Sequence, residues 1–165
     1  YDPSTLLLIE KIRNNYIGEI KKIKIFYKKG LYNSCSHYIN LIQMVFPGDK
    51  KIKRKNFIKN IKDNFLYEFI LYNKDLEINF YTKKKCDETI MMIGDKGKFI
   101  YYTEKDKLFF INEKNDKKLV LNNNYNQGQM SILNNIYKTS KKKSFPLSSY
   151  DDAVECLYYL NKINK

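Results

Sequence analysis

Leu6, Ile9 and Ile12 fall at helical spacing behind Asp2 and Pro3, with Arg13 closing the stretch. Asp2 can cap free backbone N–H groups and Pro3 suits the first helical position, so a helix is predicted to Asn14-Asn15, before Gly18. The period then changes. Ile20, Ile23, Ile25 and Tyr27 alternate approximately with Lys22, Lys24 and Lys28, which predicts a half-buried strand with one wet face and a bulge or late start between Ile20 and Ile23. After Gly30 the apolar positions Cys35, Tyr38, Ile39, Ile42 and Phe46 return to a spacing of three or four. This predicts a helix of about three turns, with Ser34 or Ser36 as N-cap and Pro47-Gly48 as its stop.

From Lys50 to Leu121 the chain reads as strands. Ile52, Phe57, Ile58 and Ile61 begin the region, and Phe65, Tyr67, Phe69 and Leu71 then alternate up to the turn Asn73-Lys74-Asp75. Leu76, Ile78 and Phe80 alternate after it, completing a hairpin. Thr89 to Ile93 and Phe99 to Tyr102 flank Gly94-Asp95-Lys96-Gly97, and Glu104-Lys105-Asp106-Lys107 leads on to Leu108 to Ile111. Consecutive hairpins make an antiparallel meander. The tail returns to helix: Met130, Leu133, Ile136 and Tyr137 form one stripe, Lys141-Lys142-Lys143 a polar loop, and Ala153, Val154, Leu157, Tyr158 and Leu160 a last helix started by Ser149 or Tyr150-Asp151. The predicted fold class is α+β: one domain over residues 1–165, an open and largely antiparallel β-sheet of about six strands with helices packed on one face.

Composition narrows the function classes. The chain has 165 residues, 43% of them hydrophobic and 15% aromatic, enough for a core. The run Leu6-Leu7-Leu8-Ile9 is too short for a signal peptide, and no apolar stretch is long enough to span a bilayer, which predicts a soluble protein without a membrane. Cys35, Cys86 and Cys156 are odd in number and lie far apart, with no CxxC pair, so neither a disulfide framework nor a metal site is expected. This cysteine usage fits a reducing compartment, so a cytoplasmic location is expected. The net charge of +13 invites a nucleic-acid reading. Yet the positive charge is nearly all lysine, with Arg13 and Arg54 the only arginines, and the bidentate fork that reads bases and phosphates belongs to arginine. With a single alanine, Ala153, the composition reads as proteome-wide bias. A basic nucleic-acid-binding domain is the least favoured function.

Several motifs resolve to structure. Gly94-Asp95-Lys96-Gly97 matches the GXXG of KH domains, but strands on both sides make it a hairpin turn. No GxGxxG or GxxxxGK[ST] occurs, so the chain carries no dinucleotide or P-loop fingerprint. The lysine triplets at 83–85 and 141–143 read as solvated edges, and Asp151-Asp152 as favourable charge at a helix N-terminus. The corner from Gly30 to His37 is different. Tyr32, Asn33, Ser34, Ser36 and the sole histidine, His37, crowd a strand-to-helix connection, where an imidazole can accept a proton and an asparagine can orient a hydroxyl.

The same residues carry a resemblance. Tyr16-Ile17-Gly18-Glu19-Ile20, followed by the run from Phe26 through Gly30-Leu31-Tyr32-Asn33 and Ser36-His37 to Ile42, resembles the C-terminal domain of the Gfo/Idh/MocA oxidoreductases, which read approximately "GEI...Y..GLLNNGSHxIDLL". Tyr1-Asp2-Pro3 is similar to the family's "RRFDP" junction, Ile93 to Phe99 to "IIGTKGRI", and Pro146 with Asp151-Asp152-Ala153 to the closing "P.....DA...L". The resemblance runs from Tyr1 nearly to Lys165.

What the resemblance implies is an α/β domain that follows an N-terminal Rossmann domain, absent from this chain. The Rossmann domain would bind NAD or NADP, and no metal is implied. This domain would line the site for a sugar, nucleotide-sugar or cyclitol and form homo-oligomers through its open sheet. By position His37 and Asn33 would be catalytic, acting with a lysine of the missing domain. Asn33 stands where many members have aspartate, and Asn40 replaces a second one. Lys29, Tyr32 and Ser36 would contact substrate. The competing expectation is a non-catalytic, oxidoreductase-like binding and assembly module.

Overall fold

The computed structural model describes residues 3–61, 64–82, 87–114, 116–122, 133, 137–141 and 150–164. Expectations resting on Tyr1, Asp2, Lys83 to Lys85, Cys86, Met130, Ile136, Lys142, Lys143, Pro146 and Ser149 lie outside the described residues. The elements are α1 (Pro3–Arg13), β1 (Ile20–Tyr27), a π-helical turn (Leu31–Cys35), α2 (Ser36–Val45), β2 (Lys51–Ile61), β3 (Asn64–Asn73), β4 (Leu76–Thr82), β5 (Thr89–Gly94) and β6 (Gly97–Tyr102). A 3-10 turn (Thr103–Lys105), β7 (Lys107–Asn112), β8 (Lys117–Asn122) and α3 (Tyr150–Asn164) follow. Leu133 and residues 137–140 are also helical, with the Leu133 and Tyr137 side chains exposed.

The sheet is open, with eight strands in the order β2-β3-β4-β1-β5-β6-β7-β8. Alternation points to about six because the two outer strands, β2 and β8, are lysine-rich and lack a clean apolar period. Backbone pairing to β3 and β7 is enough to hold them in the sheet. All ladders are antiparallel except β1 with β4. The parallel pair arises because α2 and the β2–β3 hairpin intervene between β1 and β4, giving the chain the long crossover that parallel strands need. A register shift between Ile20 and Lys22 is the predicted bulge.

One sheet face carries the core. Phe69 and Leu71 of β3, Ile78 and Phe80 of β4, Ile23, Ile25 and Tyr27 of β1, and Ile90 and Met92 of β5 share it with Phe99, Tyr101 and Leu108 of β6 and β7. Leu8 and Ile9 of α1, Ile39 and Ile42 of α2, and Tyr159, Leu160 and Ile163 of α3 join the same cluster, so the helices cover this face. Phe69 and Phe80 stack at 4.2 Å within it. Beyond Phe69, β4 no longer pairs with β3. There the phenol of Tyr27 reaches across, donating to the Tyr67 carbonyl (2.6 Å) and accepting from its N–H (3.0 Å).

The two glycine-bearing stretches of the resemblance interlock. The hairpin of β5 and β6 turns at Asp95 and Lys96, whose N–H groups donate to the carbonyls of Glu19 and Ile17. Gly18 takes φ +72° here, a left-handed conformation that suits glycine. This packing accounts for both motifs as structural.

Candidate functional site

Strand polarity decides what meets at one sheet edge. β1, β4 and β6 end there, β5 and β7 begin there, and α2 departs from it. The segment leaving β1 turns at Gly30, at φ 93° and ψ 172°, a backbone region nearly confined to glycine. The N–H of Cys35 then closes a wide turn on the Gly30 carbonyl (3.2 Å), and helical backbone continues without a break into α2.

This earlier start corrects the expected N-cap. Cys35 occupies the cap position in right-handed helical conformation, and no side chain caps it. The Ser36 hydroxyl donates backwards to the carbonyls of Asn33 and Tyr32. Ser34 is buried, and its Oγ accepts the N–H of Lys29 (3.3 Å).

Asn33 and His37 are exposed and lie four residues apart on this continuous helical stretch. Among the described residues the imidazole has no hydrogen-bond partner. Tyr32 is exposed beside them, at 42%. Lys29 is exposed on the loop before the turn, with its Nζ 3.8 Å from Glu104 Oε1. Of the five site residues read from the sequence, Asn33, His37 and Tyr32 therefore share one exposed corner and Lys29 borders it. Ser36 is half-buried and spends its hydroxyl on the helix backbone.

Beneath the corner lies a carboxylate that the sequence does not flag. Glu88, just before β5, is buried at 5% exposure. Its Oε1 accepts the N–H groups of Lys28 (2.9 Å) and Lys29 (3.3 Å), and its Oε2 accepts the Tyr38 hydroxyl (2.8 Å). The Ser34 hydroxyl also bonds to it. Burial by itself would raise this carboxyl, but the Lys28 N–H, the Tyr38 and Ser34 hydroxyls and the Lys29 N–H outweigh that and hold it below the usual carboxylate value. The same bonds fix the backbone on both sides of Gly30.

Further groups extend the network. Tyr38 Oη lies 3.0 Å from Thr103 Oγ1, and burial keeps this phenol protonated well beyond its ordinary range. Thr103 donates its N–H and its hydroxyl to the Glu88 carbonyl. Lys28 Nζ pairs with Glu104 at 2.7 Å and Lys105 with Asp87 at 2.6 Å, so these ammonium groups already have anionic partners. The buried Asp106, left-handed at φ 46°, accepts from Ser4 of α1 through its carbonyl and from Tyr101 through its carboxylate. A chain of contacts thus joins the start of α1 to the floor of the His37 corner.

The corner offers exposed polar groups on a rigid floor, suited to binding a hydroxylated ligand and moving a proton. It does not offer a dinucleotide cradle: its one glycine stands before a π turn, and the N–H groups of Lys28 and Lys29 are already committed to Glu88. Among the described residues, no group of three or more His, Cys, Asp or Glu could hold a metal ion. No described helix is long and apolar enough to cross a membrane.

No protein-family model matches the chain, and no curated protein sequence matches it. Solved structures do. A dehydrogenase from Clostridium difficile superposes with a TM-score of 0.75 at 15% identity, over 96% of this chain and 58% of its own. An oxidoreductase from Sinorhizobium meliloti gives 0.74 at 13%, over 99% and 59%. The UDP-N-acetylglucosamine 3-dehydrogenase of Acidithiobacillus ferrooxidans gives 0.78 at 6%, over 94% and 56%. The chain spans about 60% of the length of such structures, and the part it matches is their C-terminal one. The fold implied by the resemblance is the fold found.

Proposed function

We propose that this chain is the substrate-binding and oligomerisation domain of an NAD(P)-dependent oxidoreductase acting on the hydroxyl of a sugar, nucleotide-sugar or cyclitol. The observation that carries the reading is the coincidence of two findings. Nearly the whole chain superposes on the C-terminal part of dehydrogenases. At one edge of that fold the sole histidine stands exposed beside Asn33, on a floor braced by a buried carboxylate.

The dinucleotide would be held by a preceding Rossmann domain, and when bound it would supply the hydride acceptor or donor. The chemistry assigned to this chain is narrower. His37 takes or gives the proton of the reacting hydroxyl, and Asn33 orients that hydroxyl by donating and accepting hydrogen bonds. Tyr32, exposed beside them, contacts the substrate, and Lys29, held near Glu104, borders the site. Ser36 would act through the carbonyls it holds. With Asn33 and Asn40 as amides, no carboxylate at these two positions can relay the proton onward.

The test is turnover by the full-length protein with NAD or NADP and a panel of sugars, cyclitols and nucleotide-sugars that includes UDP-N-acetylglucosamine. Nicotinamide absorbance is the readout. His37→Ala is expected to lower kcat on the order of a hundredfold. Unchanged turnover in that variant would remove the catalytic assignment. Absence of turnover on the whole panel, with no GxGxxG encoded upstream of Tyr1, would favour the non-catalytic assembly module instead.

A further inference from the structure

We infer that Glu88 is the positioning residue of the His37 corner: its buried carboxylate sets the backbone that carries Lys29, Tyr32, Asn33 and His37. The inference rests on the oxidoreductase reading for its catalytic consequence, though not for its structural one.

Three features support it. The segment from Lys28 to Cys35 turns at Gly30, in a sparsely populated backbone conformation, and enters a π turn, a form that is rare and found mostly as single turns. Such a segment needs external bonds to hold one shape. Glu88 supplies them at both ends, to the Lys28 and Lys29 N–H groups before Gly30 and to Ser34 and Tyr38 after it. The acceptor is also charged and buried, which strengthens the bonds it accepts relative to a neutral acceptor.

The second feature is the anchoring of Glu88 itself. Its residue neighbour Thr89 pairs with Phe26 in the β1–β5 ladder, and its carbonyl is held by the N–H and hydroxyl of Thr103. The carboxylate therefore projects from the residue at the mouth of β5, tied to the sheet on either side, and the loop hangs from it. A positioning group built the other way round, on the loop, would move with what it positions.

The third feature is reach. Thr103 opens the turn that also carries Glu104, the partner of Lys28, and Asp106, the partner of Ser4 and Tyr101. The carboxylate thus sits where the site loop, the sheet and the first helix are bonded together. It is buried and bonds to the Lys28 and Lys29 backbone and the Tyr38 hydroxyl, so its effect on a ligand passes through the segment those groups belong to.

The test is a double-mutant cycle in the full-length protein. Glu88→Gln keeps the volume and one acceptor but loses the charge. It is expected to lower kcat/KM on the order of tenfold in the parent and to add little in a His37→Ala background, because both changes act on one unit. Tyr38→Phe, which removes only one bond to the carboxylate, is expected to show a smaller loss with the same lack of additivity, and it serves if Glu88→Gln fails to fold. Losses that multiply in the double variants would overturn the inference.

Two further readouts separate it from the oxidoreductase reading. Glu88→Gln should speed amide exchange at Lys28 and Lys29 and move the His37 imidazole resonance, assigned by its disappearance in His37→Ala. If wild type turns over no sugar but both changes occur, the catalytic reading fails and the positioning role stands. If the protein is active and Glu88→Gln leaves exchange, resonance and kcat/KM unchanged, the positioning role fails alone.

Discussion

A Cβ placed on Gly94 would stand 2.1 Å from the carbonyl oxygen of Ile17, so the β5–β6 hairpin closes on the segment before β1 with no room for any side chain. The contact is with backbone, which cannot swing away. Gly18 differs, since its added Cβ would meet the carboxylate of Asp95, an exposed side chain free to rotate.

An order of costs follows. Gly94→Ala should destabilise by about 3 kcal/mol, the upper range for overpacking that forces a backbone shift. Gly18→Ala should cost about 1 kcal/mol, mainly its left-handed φ of +72°. Urea melts of the two variants check the ranking, and an equal or reversed order would show that the hairpin is not seated on Ile17.

Tyr27 completes a ladder that β4 leaves unfinished. Tyr27→Phe removes the oxygen that serves both the N–H and the carbonyl of Tyr67 and leaves those groups buried without that partner. A loss of about 1–3 kcal/mol is expected. If the variant melts with the parent, water has replaced the phenol and the bridge carries little weight.

Glu88 makes stability depend on pH in a definite direction. Its carboxyl is held low in the folded protein, so the stabilisation is complete above the unfolded value near 4.5 and is lost as pH falls through the folded value. At pH 7 Glu88→Gln should be less stable than the parent, and the gap should narrow as pH falls below the unfolded value near 4.5. Equilibrium unfolding of both proteins across that range is the measurement, and a gap that stays constant would mean the carboxylate gains nothing from ionisation.

The sheet face opposite the helices carries Met91, Ile100 and Phe109 side by side in register across β5, β6 and β7, each half-buried among the described residues, with Leu119 of β8 opposite Phe109 and 46% exposed. If the proposed oligomerisation uses this face, Ile100→Lys should abolish it without unfolding the chain. Sedimentation velocity on the full-length protein decides it. A monomeric parent, or an assembly state retained in the variant, would remove this face as the interface.

Buried thiols should resist alkylation. Burial pushes the Cys35 thiol well above its ordinary value and Cys156 up to about 11, where the Cys156 S–H also lies 3.3 Å from the Ser36 carbonyl. At pH 8 both are expected to label with iodoacetamide only as fast as the protein opens. Rapid labelling of Cys35 would mean that the π turn opens locally.

Much of this molecule is written in its periodicities. The alternation of Ile23, Ile25 and Tyr27 against lysine, and the spacing of Tyr38, Ile39 and Ile42, determine a strand and a helix because water and core select opposite faces. The turns at Asn73 to Asp75 and Gly94 to Gly97 are equally legible, since Asn, Asp and Gly between two alternating runs mark a reversal of the chain. The corner from Gly30 to His37 was visible as a polar strand-to-helix connection around a sole histidine. What the sequence could not show is its floor. Glu88 lies 50 residues from Tyr38 and reads like any loop acid before a strand. Only the β1–β5 register, with Thr89 opposite Phe26, brings it beneath Lys28. The same holds for the N-cap: Ser34 and Ser36 have the right chemistry for it, but the buried carboxylate and the π turn claim them first. Local patterns fix which face of each element is wet. Long-range pairing decides which distant polar groups are buried together, because a hydrogen bond to a buried charge outweighs local propensity.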